Sequence, residues 1–199
     1  MMMKLYLVRH GQSEGNLKKL LFGRTDYSLT PLGIEQAQNS AEKLKDAHFD
    51  VCWSSTLKRA IETAEICIAG RNIPMICDEG LCEQDMGDLE NMAFDEAMKK
   101  EPEKLTMLMR DWSKYAPPGG ESFEEMYKRV VACCEKIKAD GRDALIVAHN
   151  GSLSMMTAYL LGADIRCVES FYHQHGCYTH IHLGGLFDDK RNTLVCFNK

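Results

Sequence analysis

The chain has 199 residues and a formal charge of −5. That length suits one domain, perhaps carrying a small cap, and buries roughly 70% of the unfolded surface. The acidic balance argues against general nucleic-acid affinity, which rests on basic patches, and no apolar run approaches the ~20 residues that span a bilayer.

Leu5-Tyr6-Leu7-Val8 is a continuous apolar run that stops at Arg9-His10-Gly11. Such a run suits a parallel strand covered on both faces. It delivers a cation and an imidazole to the strand's carboxyl end, where open α/β sheets place their ligands. Gly11 lets the chain turn and lets a ligand approach the backbone. Lys4 followed directly by this strand lacks the pattern of a signal peptide, so a cytoplasmic location is expected.

Gln12 to Tyr27 reads as a loop punctuated by Gly15, Gly23 and Asp26. Thr30-Pro31 opens a helix, with Thr as cap and Pro in the first turn. Ile34, Ala37, Ala41 and Leu44 give that helix an apolar face. Phe49 to Trp53 reads as strand two. Thr56 begins a second helix with Ala60, Ala64 and Ile68 inward and Gly70 as its stop. Ile73 to Cys77 is a short third strand. Residues 81–120 are polar, Met-rich and punctuated by proline. They include two short helices, near 92–100 and 102–112, and read as an insertion on top of the sheet and a candidate lid. Ser122-Phe123-Glu124-Glu125 is a capping box opening a long helix to about Ala139. Ala144 to Ala148 is a second continuous apolar strand, ending in His149-Asn150-Gly151 and feeding a helix to Leu161-Gly162. Tyr178 to Leu183 and Thr193 to Phe197 are the final strands, joined by a Gly/Asp turn.

Nine cysteines, an odd number with no Cys-x-x-Cys pair, suit a reducing compartment. Cys52, Cys67, Cys77, Cys133, Cys134 and Cys196 read as small buried hydrophobes. Zinc-ligand spacing is absent.

The polar candidates fall just after apolar strands: Arg9 and His10 after the first, Arg59 in the turn after the second, His149 after the Ala144 to Ala148 run. If the sheet is parallel there, they converge on one edge. Two arginines, two histidines and a helix N-terminus make an anion site without metal. The simplest anion is a phosphate. A neutral imidazole can supply a nitrogen nucleophile. Phosphoryl transfer to it needs a proton donor for the departing alkoxide, and Glu83, in the loop after strand three, is the nearest carboxylate.

Arg9-His10-Gly11, then Asn16, Gly23-Arg24-Thr25-Asp26, Leu29-Thr30 and Gly33, resembles the opening of the histidine phosphatase superfamily, the phosphoglycerate mutase-like proteins. Ser54-Ser55-Thr56-Leu57-Lys58-Arg59-Ala60 with Thr63-Ala64 resembles its second motif. Leu81, Glu83, Gly87 and Glu90 resemble its acid loop, and Val147-Ala148-His149-Asn150-Gly151 its last motif. Four ordered motifs agree over residues 4 to 162.

The resemblance implies an α/β fold of three layers, α/β/α, around a mixed, mainly parallel sheet. It implies a single domain over 1–199 with a helical cap insertion at about 81–120, and no cofactor or metal. It also implies a phosphohistidine intermediate with His10 as nucleophile and Glu83 as general acid. Arg9, Arg59 and His149 would bind the phosphoryl group with Asn16 assisting. Gly11, Phe22, Gly23, Met86, Asn150 and His175 join the expected phosphate or substrate contacts. The partner expected is a small phosphate ester, with no nucleic acid and no membrane; a homodimer is left open.

Within the superfamily the phosphatase branch fits better than the glycolytic mutase. The chain is shorter, and Met86 stands where mutases have a tyrosine. Pro118-Gly119-Gly120-Glu121-Ser122-Phe123 with Gly176-Cys177-Tyr178 resembles the α-ribazole phosphatases. His175 departs from a glutamine there, Asn91 from a glycine, and Phe22 from a small hydroxyl residue of mutases. A phosphoglycerate mutase and a noncatalytic phospho-ligand module are the alternatives.

Blander readings stand beside these. Asn16 can simply satisfy loop backbone groups. His173, His175, His180 and His182 invite a metal, with His180 and His182 on one strand face, but no carboxylate or cysteine completes a set. Met98, Met107 and Met109 read as cap packing.

Overall fold

A computed structural model of the chain describes residues 2–110, 115–184 and 191–199. Its main sheet has six strands: β1 (Met3–Arg9), β3 (Val51–Ser54), β4 (Met75–Cys77), β6 (Ala144–Ala148), β7 (Tyr178–Leu183) and β8 (Thr193–Cys196), in the order β4-β3-β6-β1-β7-β8. β4, β3, β6 and β1 run parallel, whereas β7 is reversed and pairs antiparallel with both β1 and β8. The sheet is therefore mixed and mostly parallel, as the sequence implied.

The two continuous apolar runs are the two central strands. Leu5 and Leu7 of β1 and Ala144, Ile146 and Ala148 of β6 face one core with α6 (Phe123–Asp140) and α7 (Asn150–Leu161). Tyr6, Val8, Leu145 and Val147 face the other, with α2 (Pro31–Lys43) and α3 (Lys58–Ile68). Burial on both faces explains why neither strand alternates with polar residues. Leu7, Leu145 and Ile146 are fully buried, and truncating such a side chain to Ala costs about 2–5 kcal/mol.

Caps set the helix ends. Thr30 accepts from the Gly33 N–H at the start of α2, and Ser122 and Glu125 form the expected capping box of α6. Gly141 and Gly162 stop α6 and α7 with φ of +75° and +65°, where a Cβ would be strained.

Several expectations need correction. The loop at 12–27 contains a short helix, α1 (Glu14–Leu17), and a two-residue strand, β2 (Leu20–Leu21). β2 pairs with β5 (Met92–Ala93), so the cap region is tied to the first loop. α3 starts at Lys58 rather than Thr56. Ile34 is exposed, because α2 buries small residues, Gly33, Ala37 and Ser40, together with its C-cap Leu44. Cys77 is exposed and Cys196 half-buried, while Cys82 is buried; all nine cysteines are free thiols. The two expected cap helices are α4 (Phe94–Lys100) and α5 (Pro102–Arg110), gathered on Leu89, Ala97, Leu105 and Leu108. Met98 packs there but Met107 is exposed. The expected end of the second cap helix at 112, the Met109 side chain and the Gly/Asp turn from residue 185 lie outside the described residues. Among the described residues, no helix is long and apolar enough to cross a membrane.

Candidate active site

Strand register brings the polar candidates together. Arg9 lies opposite Ala148 in the parallel β1–β6 ladder, and Ser54 of β3 opposite Val147. Backbone bonds His10 N–H to Ala148 O (2.9 Å) and Ser55 N–H to Val147 O (3.0 Å) continue both ladders past the strand ends. His10, His149 and the turn into α3 thus leave the sheet at one carboxyl edge. Ring centroids of His10 and His149 are 4.9 Å apart.

His10 is buried, and its Nδ1 lies 2.7 Å from the Gly11 carbonyl. A carbonyl only accepts, so Nδ1 carries the hydrogen and Nε2 keeps its lone pair. Burial first, then the charges of Arg59 and Arg9, hold this imidazole well below its ordinary pKa. It is neutral at pH 7, the form a nitrogen nucleophile requires.

Arg59 is almost wholly buried. Its Nη1 donates to Thr25 O (2.9 Å), its Nη2 to Gly23 O (2.6 Å) and its Nε to His149 Nδ1 (3.3 Å). Two of its five N–H donors remain for an anion. Phe22 stacks on the guanidinium, 4.9 Å from ring centroid to Cζ. Because Nδ1 of His149 accepts from Arg59, the hydrogen sits on Nε2 and is donated to Ser55 Oγ (2.8 Å). Burial, then Arg59, also keeps His149 well below the ordinary imidazole pKa. Both its ring nitrogens have protein partners, so meeting an anion requires exchanging one of them.

Arg9 donates from Nη1 to His173 O (2.9 Å) and lies under the Tyr172 ring at 5.2 Å. The His173 ring is held between Thr157 and Thr179. Glu83 sits at the start of α7: Oε2 accepts from Gly151 N–H (3.0 Å) and Oε1 from Gln84 N–H (3.1 Å). Each oxygen retains a second lone pair for a proton.

The glycines act differently from expectation. Gly11 donates its N–H to Thr63 Oγ1, and a Cβ there would lie 2.1 Å from Gly33 O, so the close approach it permits is to backbone. Gly23 donates to Glu90, and a Cβ would lie 1.5 Å from Gln84 O. Asn16 accepts through Oδ1 from Ser13 N and Oγ, the loop-satisfying reading. Asn150 accepts from His173 N–H (2.9 Å). His175 lies 5.5 Å from the His10 ring and contacts the His10 carbonyl through Nδ1. Met86 packs with the cap cluster. The four late histidines divide: His180 stacks on Tyr6 at 4.3 Å with His182 beside it, apart from the role of His173. Among the described residues, no group of three or more His, Cys, Asp or Glu is arranged to hold a metal.

Two anchors were not assigned from the sequence: Glu90, named there only as part of the acid-loop motif, and Arg129, not named at all. Glu90 takes N–H donors from Gly23, Arg24, Thr25 and Met86 and the Thr25 hydroxyl, tying the Arg59 anchors to the acid loop. Those donors hold its carboxyl below the usual range despite burial. Arg129 of α6 donates to the carbonyls of Gly80, Cys82 and Glu83 and pairs with Glu121 at 2.6 Å. Asn91, where the α-ribazole phosphatases resembled by the sequence have a glycine, has φ of +65°, a left-handed conformation asparagine tolerates.

Residues 5–199 match the model of the histidine phosphatase superfamily (branch 1). The chain belongs to this superfamily. Among histidine phosphatases, the adenosylcobalamin/α-ribazole phosphatase of Escherichia coli is 31% identical over 187 residues, 93% of this chain and 92% of that protein. The crystal structure of the α-ribazole phosphatase from Shigella flexneri superposes with a TM-score of 0.92 at 32% identity, covering 99% and 96% of the two chains. A 2,3-bisphosphoglycerate-dependent phosphoglycerate mutase of Cytophaga hutchinsonii is 41% identical over 162 residues, 78% of this chain and 76% of that protein. Relatives in this superfamily thus carry both phosphatase and mutase names.

Proposed function

We propose that the chain is a metal-independent phosphomonoesterase acting through phospho-His10. The observation that carries this reading is the His10 ring: Nδ1 is tied to the Gly11 carbonyl, burial keeps it neutral, and Arg59 and Arg9 act on it electrostatically. Nε2 attacks phosphorus, an N–P bond forms and the ester P–O bond breaks. Glu83 gives its proton to the departing alkoxide. The Glu83 carboxylate then takes a proton from water, whose oxygen attacks phosphorus. The P–N bond breaks and phosphate leaves a neutral His10. Arg9 and Arg59 stabilise charge spread over the equatorial oxygens, with His149 as the third group at the site.

α-Ribazole phosphate is the proposed substrate, supported by likeness to α-ribazole phosphatases along nearly the full chain. The mutase relative, with higher identity over a shorter span, keeps phosphate migration as the second reading. Incubation with α-ribazole phosphate, p-nitrophenyl phosphate and phosphoglycerates plus bisphosphoglycerate separates them. Released phosphate is expected to dominate. Dominant migration between phosphoglycerate positions would overturn the branch, and failure on every ester would overturn the enzyme.

A further inference from the structure

Cys82 lies in the loop after β4, directly before Glu83, and its thiol is buried. A buried thiol usually packs as a small hydrophobe, yet this one has two hydroxyls against its sulfur. Ser55 Oγ donates to Cys82 Sγ at 3.3 Å, and Thr56 Oγ1 lies 3.1 Å from the same atom. Both hydroxyls belong to the turn between β3 and α3. Arg129 fixes the loop side, donating to the Gly80, Cys82 and Glu83 carbonyls at 3.1, 2.7 and 3.0 Å.

Ser55 Oγ stands at a junction. It accepts from His149 Nε2–H (2.8 Å) and from Leu57 N–H (3.3 Å). Those two partners are donors, so among the described residues only Cys82 Sγ is left to take the hydroxyl hydrogen. With that hydrogen on sulfur, the lone pairs of Ser55 Oγ face donors. Turned toward His149 instead, it would require a bare Nε2 and a hydrogen on Nδ1, where Arg59 Nε–H already points from 3.3 Å. The sulfur therefore ends an unbroken line from Arg59 through His149 and Ser55, every link a hydrogen bond of 2.8 or 3.3 Å.

We propose that the Cys82 thiol is a positioning residue for the anion pocket. By accepting the Ser55 hydroxyl it holds His149 as the Nε2–H tautomer. That leaves Nδ1 to receive Arg59 and orients the guanidinium donors still free for an anion. The backbone of the same residue continues into Glu83, so one buried sulfur sets the phosphate ligands against the proton donor. That last role rests on the phosphatase reading above; the hydrogen-bonded line itself does not.

Cys82→Ala and Cys82→Ser separate acceptor from volume, because the two side chains are close in size and only serine keeps a lone pair. Long-range proton–nitrogen correlation spectra of the full chain, with His149 assigned through His149→Gln, read the tautomer. Wild type and Cys82→Ser are expected to show a single Nε2–H form. In Cys82→Ala the two ring nitrogen shifts should move toward each other by at least about a tenth of their separation, as the tautomers mix. Affinity for tungstate, an oxyanion that does not oxidise thiols, should fall about three- to tenfold in Cys82→Ala, equivalent to one net hydrogen bond, and stay within about twofold of wild type in Cys82→Ser. An unchanged His149 pattern in Cys82→Ala, or an equal loss of tungstate affinity in both variants, would overturn the role of the sulfur. Neither readout needs turnover. A wild type that hydrolyses no ester, with variants that divide in this way, would support the positioning role and sink the phosphatase reading alone.

Discussion

Lowering the pH from 7.0 to 5.5 should destabilise this fold through its buried imidazoles. Burial, with Arg9 nearby, lowers His173 to about 3 from an ordinary 6.5. His10 and His149 move the same way, for burial first and Arg59 second. In the unfolded chain these rings take up protons as pH falls through 6.5, while in the fold they stay neutral. The unfolded state then binds more protons, so stability falls with pH below about 6.5. For His173 the loss continues until pH reaches about 3. Each pH unit in that window is worth about 1.4 kcal/mol per group. His173 is 2% exposed and needs no allowance for solvent screening, so it alone removes about 1.3 kcal/mol between pH 7.0 and 5.5. Ordinary carboxylates titrate below this window. Urea unfolding at both pH values reads the effect, and a wild-type loss above about 1 kcal/mol is expected. His173→Gln can still hydrogen-bond Thr157 or Thr179, and its loss should be smaller by about 1 kcal/mol. Identical pH dependence in wild type and variant would refute the reasoning.

Glu83→Gln should slow the first-turnover burst by about 10²–10⁴-fold for alkyl phosphates and much less for p-nitrophenyl phosphate, whose leaving group needs no proton. Equal slowing would instead mark Glu83 as a positioning residue, since a glutamine amide also confronts the N–H of Gly151 or Gln84. Gly23→Ala forces a Cβ onto Gln84 O, 1.5 Å away, and displaces a carbonyl anchor of Arg59; vanadate affinity should fall at least about tenfold. Arg129→Met removes the guanidinium paired with Glu121 and the donor to the Gly80, Cys82 and Glu83 carbonyls, and urea unfolding should show a loss of about 3 kcal/mol. EDTA should leave turnover unchanged, because the proposed phosphate ligands are side-chain cations; inhibition reversed by added zinc or magnesium would contradict that.

The strands that position the site were legible because burial on both faces writes continuous apolar runs, as in Leu5 to Val8 and Ala144 to Ala148. Thr30, Ser122 and Gly162 were legible because caps are local chemistry. The buried face of α2 was misread because Gly33 and Ser40 carry no hydrophobic signal, although Gly33 packs against the Gln12 backbone. β2 and β5 are two residues each and 71 positions apart at the Leu21–Met92 pair, so no periodicity reveals them. Glu90 and Arg129 act on partners up to 67 positions away, and a single charged residue has no local signature of that. His149 was placed correctly at the edge, but its engagement by Arg59 and Ser55 depends on side-chain directions that spacing does not encode.

Trapping the phosphoenzyme bears most directly on His10. Rapid quenching during turnover of a radiolabelled phosphate ester should capture an acid-labile, base-stable phosphate, mapped to the peptide that contains His10. In His10→Ala both the label and turnover should vanish. Full turnover in that variant, or label on a different residue of the wild type, would contradict phosphoryl transfer through His10.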